Sequence, residues 1–249
     1  MSGHSKWHSI KHKKAAEDAR RGKIFTQHAN LITIAARKGG DPTMNPTLRL
    51  AIDNAKRANV PNNNIDRAIK RGTGELKGEA EISELTYEGY GPSGIAVIVE
   101  CLTNNKNRTY TNVRTAFNKK GGNVGESGSV AWMFERKGLI TINNEGAKQE
   151  ELELAAIDAG AEDIKTEGNL TEIFTAPNQL TQVNEKLKTA GFEPESAEVC
   201  LIPKDTVKIQ DEESAKKVLE FIEALEDDED VTSVSSNFDI SDELMNKVA

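Results

Sequence analysis

The amino-acid sequence predicts an α+β protein of several domains, and three observations lead to this prediction. Residues 1–72 contain 15 Lys and Arg against 5 Asp and Glu, whereas residues 73–249 contain 17 against 35. Apolar residues recur with a helical period of about 3.6 in the first part and with a period of about two, or in short runs, in the second. Between residues 139 and 202 the predicted elements follow the βαββαβ order of a ferredoxin-like unit.

The basic first part is predicted to be a polar arm followed by helices. An apolar stripe predicts a helix over residues 15–38, and a pair of glycines follows it. Asn45 and Pro46 have the residue types of an N-cap and a first helical position, so a second helix is expected over 47–59. A shorter helix is expected over 65–71, before another glycine.

A polar, acidic segment with glycines over residues 73–82 predicts a linker, after which the apolar period changes. The elements expected next are a strand over 85–90, a turn over 91–94, a strand over 95–102, a helix over 107–120, a glycine-rich turn over 121–128 and a strand over 130–134.

The ferredoxin-like unit and a short tail complete the chain. The elements expected in the unit are a strand over 139–143, a helix over 150–159, strands over 161–166 and 170–175, a helix over 177–190 and a strand over 196–202. The tail is expected to contain a strand over 207–209, a helix over 212–225 and a strand over 231–238.

Because the tail is too small to fold alone, we expect it to complete the sheet of residues 83–134. The expected domains are a basic arm with a helical domain over residues 1–78, an α+β domain over 79–135 and 205–240, and an inserted ferredoxin-like domain over 136–204.

Basic and aromatic side chains of the first part are candidate contacts to a polyanion, most simply nucleic acid. Lys and Arg neutralise phosphates and release counterions, and Trp7 can stack on an unpaired base. The alternative is a solvated basic tail, but the positive bias continues into the predicted helices, and Trp7 has no apolar neighbours in the tail. The candidate contacts are His4, Lys6, Trp7, His8, Lys11, His12, Lys13, Lys14, Arg20, Arg21, Lys23, Lys56, Arg57, Arg67, Lys70 and Arg71.

A second, weaker basic patch lies in and beside the helix predicted over residues 107–120. A polyanion contact and a solvated helix face both remain open for this patch. Its members are Lys106, Arg108, Arg114, Lys119 and Lys120.

Other kinds of site are disfavoured by the sequence. His4, His8 and His12 have a spacing that could hold a metal, but no cysteine is near and the lysines around them repel a cation. The glycine-rich turn lacks the GK[ST] ending of a phosphate loop, and the acidic run at 226–230 lacks the glycine turn of a calcium loop. All four histidines lie in the first 28 residues, so we predict no catalytic residue, no metal and no cofactor.

The two cysteines and the hydropathy favour a protein of the cytoplasm with no membrane partner. Cys101 and Cys200 are far apart and in no CxxC spacing, which is typical of thiols in a reducing compartment. No apolar run approaches the roughly 20 residues of a membrane helix, and the N-terminus lacks the apolar segment of a secretory signal.

Sequence motifs spread over nearly the whole chain carry a family resemblance. The motifs are GHSKWHSIKHKK (3–14), RGKIF (21–25), NPTLRLAIDNAK (45–56), IDRAIKRGTGE (65–75), YEGYGPSG (87–94), NRT (107–109), GGNVGESGSVAWMFERKG (121–138) and VSSNFDI (234–240). Together they resemble the YebC/PmpR family, which includes the mitochondrial translational activator of cytochrome c oxidase. The segment QHAN (27–30) departs from the resemblance, because other members often have a more basic segment there.

The resemblance implies three domains, with the ferredoxin-like one inserted in the second, and no known enzymatic activity. It implies DNA-binding transcriptional regulation by bacterial members, translational activity of the mitochondrial member and links to the ribosome. Because the family start falls at residue 3, it leaves no room for a transit peptide and favours a cytoplasmic bacterial protein.

We therefore expect a non-enzymatic nucleic-acid-binding regulator of gene expression, with DNA-binding transcriptional regulation as the first candidate. A translation factor bound to rRNA or mRNA on the ribosome is the close alternative, since no helix-turn-helix is evident and a Lys/His/Trp arm suits unpaired RNA. A protein-binding scaffold that uses the acidic domains is the alternative of a different class, and those domains could also contact a protein partner.

Overall fold

The computed structural model describes residues 17–76, 78, 80–143 and 148–248, which form an α+β fold. Within these ranges the helices are α1 (Glu17–Ala36), α2 (Pro46–Arg57), α3 (Asn62–Gly72), α4 (Lys106–Lys119), α5 (Gln149–Ala159), α6 (Leu180–Thr189), α7 (Glu212–Glu226) and α8 (Asp242–Val248). The strands are β1 (Ser83–Tyr90), β2 (Ala96–Thr103), β3 (Asn123–Val124), β4 (Phe134–Asn143), β5 (Asp163–Glu167), β6 (Leu170–Thr175), β7 (Ser196–Pro203), β8 (Val207–Ile209), β9 (Val231–Ser236) and β10 (Phe238–Ile240).

The first three helices pack around a small apolar core of their own. Ile32 on α1, Leu48 on α2 and Ile65 on α3 are buried in this core. Asn45 is the predicted N-cap of α2, and its Oδ1 accepts a hydrogen bond from the Leu48 N–H at 3.1 Å. Its Nδ2 also donates to the Ala35 carbonyl at 2.9 Å, so a single side chain starts α2 and holds the end of α1.

The first sheet is antiparallel, with the strand order β3-β1-β2-β9. Val97 and Val99 of β2 are fully buried and share an apolar core with residues of α4 and α7. Phe117 on α4 and Phe221 on α7 meet edge to face in this core, with ring centroids 5.1 Å apart. Strand β9 comes from the tail of the chain and pairs with β2.

The second sheet is also antiparallel, with the strand order β5-β6-β4-β7. Its strands and the helices α5 and α6 follow one another along the chain in the order βαββαβ, as the sequence predicts. Ile140, Ile173 and Leu187 lie in the core between the sheet and these helices. Gly160 ends α5 in the left-handed conformation, at φ 108°, as expected for the glycine that follows a helix.

The prediction of a separate strand over residues 130–134 is wrong. Residues Ala131–Met133 form one 3-10 turn, and β4 then runs without a break from Phe134 to Asn143. The amides of Val130 and Ala131 donate to the carboxylate of Glu88 and are therefore not available for pairing with a strand.

A glycine is required at position 138 inside β4, because the neighbouring strand β6 comes very close there. A Cβ at this position would lie only 2.3 Å from Oγ1 of Thr175 on β6, and no side chain fits that space. The sequence predicts two strands here, over 130–134 and 139–143, where the structure has one.

The single strand predicted over residues 231–238 is also wrong, because Asn237 divides it. Its Oδ1 accepts a hydrogen bond from the Ala96 N–H at 2.7 Å, and its carbonyl accepts one from the Val207 N–H at 2.7 Å. The chain therefore leaves the first sheet after β9 and continues as β10, which pairs in parallel with β8. Helix α8 follows and buries Met245 in the core that the first sheet shares with α4 and α7. The sequence does not predict this helix.

The three helices are held against both sheets by specific polar contacts. On α1, Nε2 of Gln27 donates to the Val231 carbonyl and Nδ2 of Asn30 donates to the Leu102 carbonyl at 3.4 Å. The less basic segment 27–30 therefore lies at the contact with the first sheet. On α2, Nδ2 of Asn54 donates to the Ala197 carbonyl of β7 at 2.8 Å.

None of the helices that the structure describes combines the length and the apolar composition needed to cross a bilayer.

We predict that Phe221→Ala lowers the free energy of unfolding by about 3–5 kcal/mol, because it removes a fully buried ring and leaves a cavity beside Phe117. Urea denaturation of the full chain measures this change. Leu154→Ala is the control, because Leu154 is 64 % exposed and its loss is expected to change stability by less than about 0.5 kcal/mol. Equal effects of the two substitutions would contradict the assigned core.

Candidate nucleic-acid interface

Half of the predicted polyanion contacts belong to the N-terminal arm. His4, Lys6, Trp7, His8, Lys11, His12, Lys13 and Lys14 lie outside the described residues, and the side chain of Arg20 is not described either. Helix α1 follows this arm in the chain. Arg21 near its start is exposed and Lys23 is half-buried.

The predicted contacts on α2 and α3 divide into two groups. Lys56, Arg67 and Lys70 carry exposed side chains. Arg57 is half-buried and donates to Oδ1 of Asn54 at 3.1 Å. Arg71 is also half-buried and donates to the Ala80 carbonyl at 2.6 Å. The first group therefore presents positive charge to solvent, whereas Arg57 and Arg71 also hold local structure.

Arg108 of the second patch is anchored by an acidic side chain. Its Nη2 lies 2.8 Å from Oδ1 and 2.9 Å from Oδ2 of Asp230, and its Nε lies 3.2 Å from Oδ2. Asp230 is only 5 % exposed and also accepts a hydrogen bond from Oγ1 of Thr109 at 2.8 Å. These hydrogen bonds raise the pKa of Arg108 and neutralise a buried carboxylate.

The other members of the second patch differ in their ionic partners. Lys120 pairs with Glu220 on α7, with Nζ 2.9 Å from Oε2. Lys106, Arg114 and Lys119 are exposed and form no ion pair with another described residue. The structure therefore leaves three of the five predicted cations of this patch facing solvent, and their contact with a polyanion stays a prediction.

A groove of 540 Å³ lies beside Arg114, between α4 and the glycine-rich loop of residues 121–128. Tyr110 and Asn118 line it together with Arg114, because residues four apart share one helix face. Tyr87 of β1 stands opposite, with its ring centroid 6.0 Å from that of Tyr110. Of these groove residues, only Arg114 is predicted from the sequence as a contact, although the polar spacing of residues 110, 114 and 118 on a predicted helix could have indicated this face.

Glu88 of β1 holds the glycine-rich loop in place. One carboxylate oxygen accepts a hydrogen bond from the Gly128 N–H at 2.7 Å, and the other accepts from Val130 at 2.9 Å and Ala131 at 2.8 Å. Burial raises the pKa of Glu88, but the three backbone hydrogen bonds outweigh it and hold the pKa below its ordinary value of 4.5. Glu88 lies within the motif YEGYGPSG (87–94), but nothing in that motif indicates a contact with residues 128–131.

The acidic run at 226–230 serves local structure in the described part of the chain. Oδ2 of Asp228 accepts a hydrogen bond from Nδ2 of Asn112 at 2.8 Å, and its Oδ1 accepts from the Asp230 N–H at 2.8 Å. A search of the described residues finds no cluster of His, Cys, Asp and Glu that could hold a metal ion. His28 is the one histidine among them, and burial lowers its pKa.

Comparisons with known proteins find relatives that match this chain over its full length. Residues 5–75 match the model described as the TACO1/YebC protein N-terminal domain, and residues 82–238 match the TACO1/YebC second and third domain. A protein of Halothermothrix orenii named "Probable transcriptional regulatory protein" is 50 % identical over 100 % of this chain and 99 % of its own. One of Thermotoga maritima with the same name is 52 % identical over 100 % of this chain and 98 % of its own.

A crystal structure of a conserved hypothetical protein from Aquifex aeolicus has a similar fold. It is 47 % identical to this chain, covers 94 % of this chain and 96 % of its own, and has a TM-score of 0.86.

We predict that Glu88→Gln lowers the free energy of unfolding by about 1–3 kcal/mol, because it removes a charge that three backbone N–H groups share. The folded-state pKa is depressed, so the contribution of Glu88 is present above pH 4.5 and is lost as the pH falls through the folded pKa. The stability gap between the wild type and the variant should therefore narrow below pH 4.5 in urea denaturation. Glu84→Gln, an exposed position on the same strand, is the control, and a gap that is constant with pH would contradict the prediction.

We predict that Arg108→Ala destabilises the chain by about 1–3 kcal/mol, because it leaves the buried carboxylate of Asp230 without its cation. The figure allows for solvent screening, since the Arg108 side chain is 40 % exposed. Arg114→Ala removes a cation from the same helix without breaking an ion pair to a described residue, and should change stability by less than about 0.5 kcal/mol. Thermal unfolding measures both variants, and equal stabilities would show that the Asp230 pair is dispensable.

Proposed function

The chain belongs to the TACO1/YebC family, and we propose that it is a non-enzymatic regulator of gene expression that binds nucleic acid. The observation that carries this proposal is the separation of charge, formally +10 over residues 1–72 and −18 over residues 73–249. Exposed cations at the ends of α2 and α3 are suited to phosphates, whereas the acidic remainder repels them. The full-length relatives named as probable transcriptional regulatory proteins support the regulatory part of the proposal.

We propose DNA-binding transcriptional regulation as the first candidate, in agreement with the names of these relatives. The second candidate is translational regulation through rRNA or mRNA on the ribosome. The groove beside α4 favours this alternative, because Tyr110 is 44 % exposed next to an arginine and aromatic side chains at such sites recognise unpaired bases. The predicted contacts of the arm, of the basic helices and of the second basic patch are compatible with both candidate functions.

The proposed domain division gives these parts separate roles. It assigns residues 1–78 to nucleic-acid contact, residues 79–135 with 205–240 to an α+β domain, and residues 136–204 to an inserted ferredoxin-like domain. Two separate sheets with separate apolar cores support it. The register of β4 and β7 favours an insertion that starts at Phe134 and ends at Pro203, where these two residues face each other.

Outside the second basic patch and the groove beside it, the acidic domains are the proposed place for a protein partner, since their charge disfavours nucleic acid. We also propose a cytoplasmic location, because Cys101 and Cys200 are both free thiols, which a reducing compartment maintains.

The salt dependence of binding tests the proposed function. If the chain contacts six or more phosphates, its affinity should fall by roughly 10³–10⁵ between 50 and 200 mM salt. Fluorescence anisotropy of the full chain with a labelled DNA duplex and a labelled RNA hairpin measures this fall and shows which nucleic acid is preferred. An affinity that does not change with salt would contradict the proposal and favour a protein-binding scaffold.

Charge reversal in the helical part locates the contact in the same experiment. Lys56→Glu combined with Lys70→Glu should weaken binding and reduce the slope of log affinity against log salt by about 2, because each lysine neutralises one phosphate. Lys208→Glu combined with Lys247→Glu makes the same charge change at exposed positions of the acidic part and should have little effect. A larger loss from the second pair would contradict the assignment.

A further inference from the structure

The groove beside α4 has the size of a small ligand site. Its volume of 540 Å³ lies within the range of roughly 300–1,000 Å³ that is typical of such sites. One wall is the face of α4 that carries Tyr110, Arg114 and Asn118. The other side is formed by β1 and by residues 123–127 of the glycine-rich loop.

The α4 wall combines an aromatic ring, a cation and an amide. The ring of Tyr110 is 44 % exposed, and Cζ of Arg114 lies 6.0 Å from its centroid. Arg114 forms no ion pair with another described residue, whereas Arg108 and Lys120 at the two ends of the helix are paired with acidic side chains. The cation that faces the groove is therefore available to a ligand.

The loop that closes the groove is held in a fixed position. Glu88 binds the backbone at Gly128, and the Gly125 N–H donates to the Glu88 carbonyl at 2.8 Å. Between these two points, the amides of Glu126 and Ser127 donate no hydrogen bond to another described residue. A loop that is held at both ends, with amides that bond no other described residue, can receive an anionic group beside an arginine without ordering the backbone first.

We propose that this groove binds one unpaired nucleotide of a single-stranded nucleic acid. The base stacks on the ring of Tyr110, the phosphate pairs with Arg114, and the amides of Asn118 and Asn123 are placed to bond the base edge. Glu126 also lines the groove, and its charge disfavours a bare phosphate, so the base supplies much of the affinity. The inference rests on the proposed nucleic-acid function and adds a base-reading site outside the basic helices.

Binding of short oligonucleotides to the full chain tests the site. The probes are a 12-residue oligouridine RNA, the corresponding oligothymidine DNA and a blunt duplex of the same length. Tyr110→Ala should weaken binding of the single strands by about 5- to 150-fold, the range expected for the loss of one stacked base, and leave the duplex unchanged. Tyr110→Phe keeps the ring and should retain binding within about twofold of the wild type.

Charge changes in the groove give opposite results if a nucleotide is bound. Arg114→Ala should weaken the single strands, and Glu126→Gln should strengthen them, because one removes an attraction and the other a repulsion for phosphate. Tyr90→Ala is the matched control, since Tyr90 is a 41 % exposed tyrosine on the same sheet that does not line the groove. Thermal unfolding of each variant verifies that it is folded.

Photocrosslinking separates this inference from the proposed function. A 5-bromouridine in the oligouridine should crosslink to the peptide that contains Tyr110 in the wild type and in Tyr90→Ala. If the wild type binds the single strands but Tyr110→Ala binds them equally well and the crosslink lies elsewhere, the groove inference is overturned and the proposed function stands. If the wild type binds none of the probes, both are overturned.

Discussion

The carboxylate of Glu88 fixes the central part of this structure. It satisfies three backbone N–H groups of the segment that joins the glycine-rich loop to β4. Glu88 lies on the first sheet and β4 belongs to the second, so these bonds hold the chain where it passes from one sheet to the other, together with the buried contacts of Val130 and Phe134. The same bonds hold the loop that closes the groove beside α4, so the proposed nucleotide site depends on them as well.

The basic helices depend on a second set of contacts, which attach them to an acidic body. Gln27 and Asn30 on α1 donate to carbonyl groups of the first sheet, and Asn54 on α2 donates to β7. These bonds use neutral side chains and backbone acceptors, and thereby leave Lys56 and Lys70 exposed to a polyanion. A nucleic acid on the helices would therefore have a fixed orientation relative to the groove.

Periodicity and caps predict most of the helices and strands because both are local properties. The N-cap of α2 at Asn45 and the glycine that ends α5 follow from single residues. Long-range contacts account for the errors. Asn237 divides a predicted strand because it forms hydrogen bonds with Ala96 and Val207. Gly138 lies inside one continuous strand, where the close approach of Thr175 leaves no space for a side chain. At the candidate site, the charge of the side chain is enough to predict Arg114. The pairing of Arg108 with Asp230 and the role of Glu88 could not be predicted, because the partners are far apart in the sequence and meet only in the folded chain.

Hydrogen–deuterium exchange of the full chain, with and without a saturating oligonucleotide, tests most directly where nucleic acid is bound. We expect slower exchange in the helices α1 to α3, in α4 and in the loop of residues 121–128, with no change in α5 and α6. Protection that is confined to α5, α6 and the second sheet would contradict it, because the contact would then lie on the acidic part of the protein.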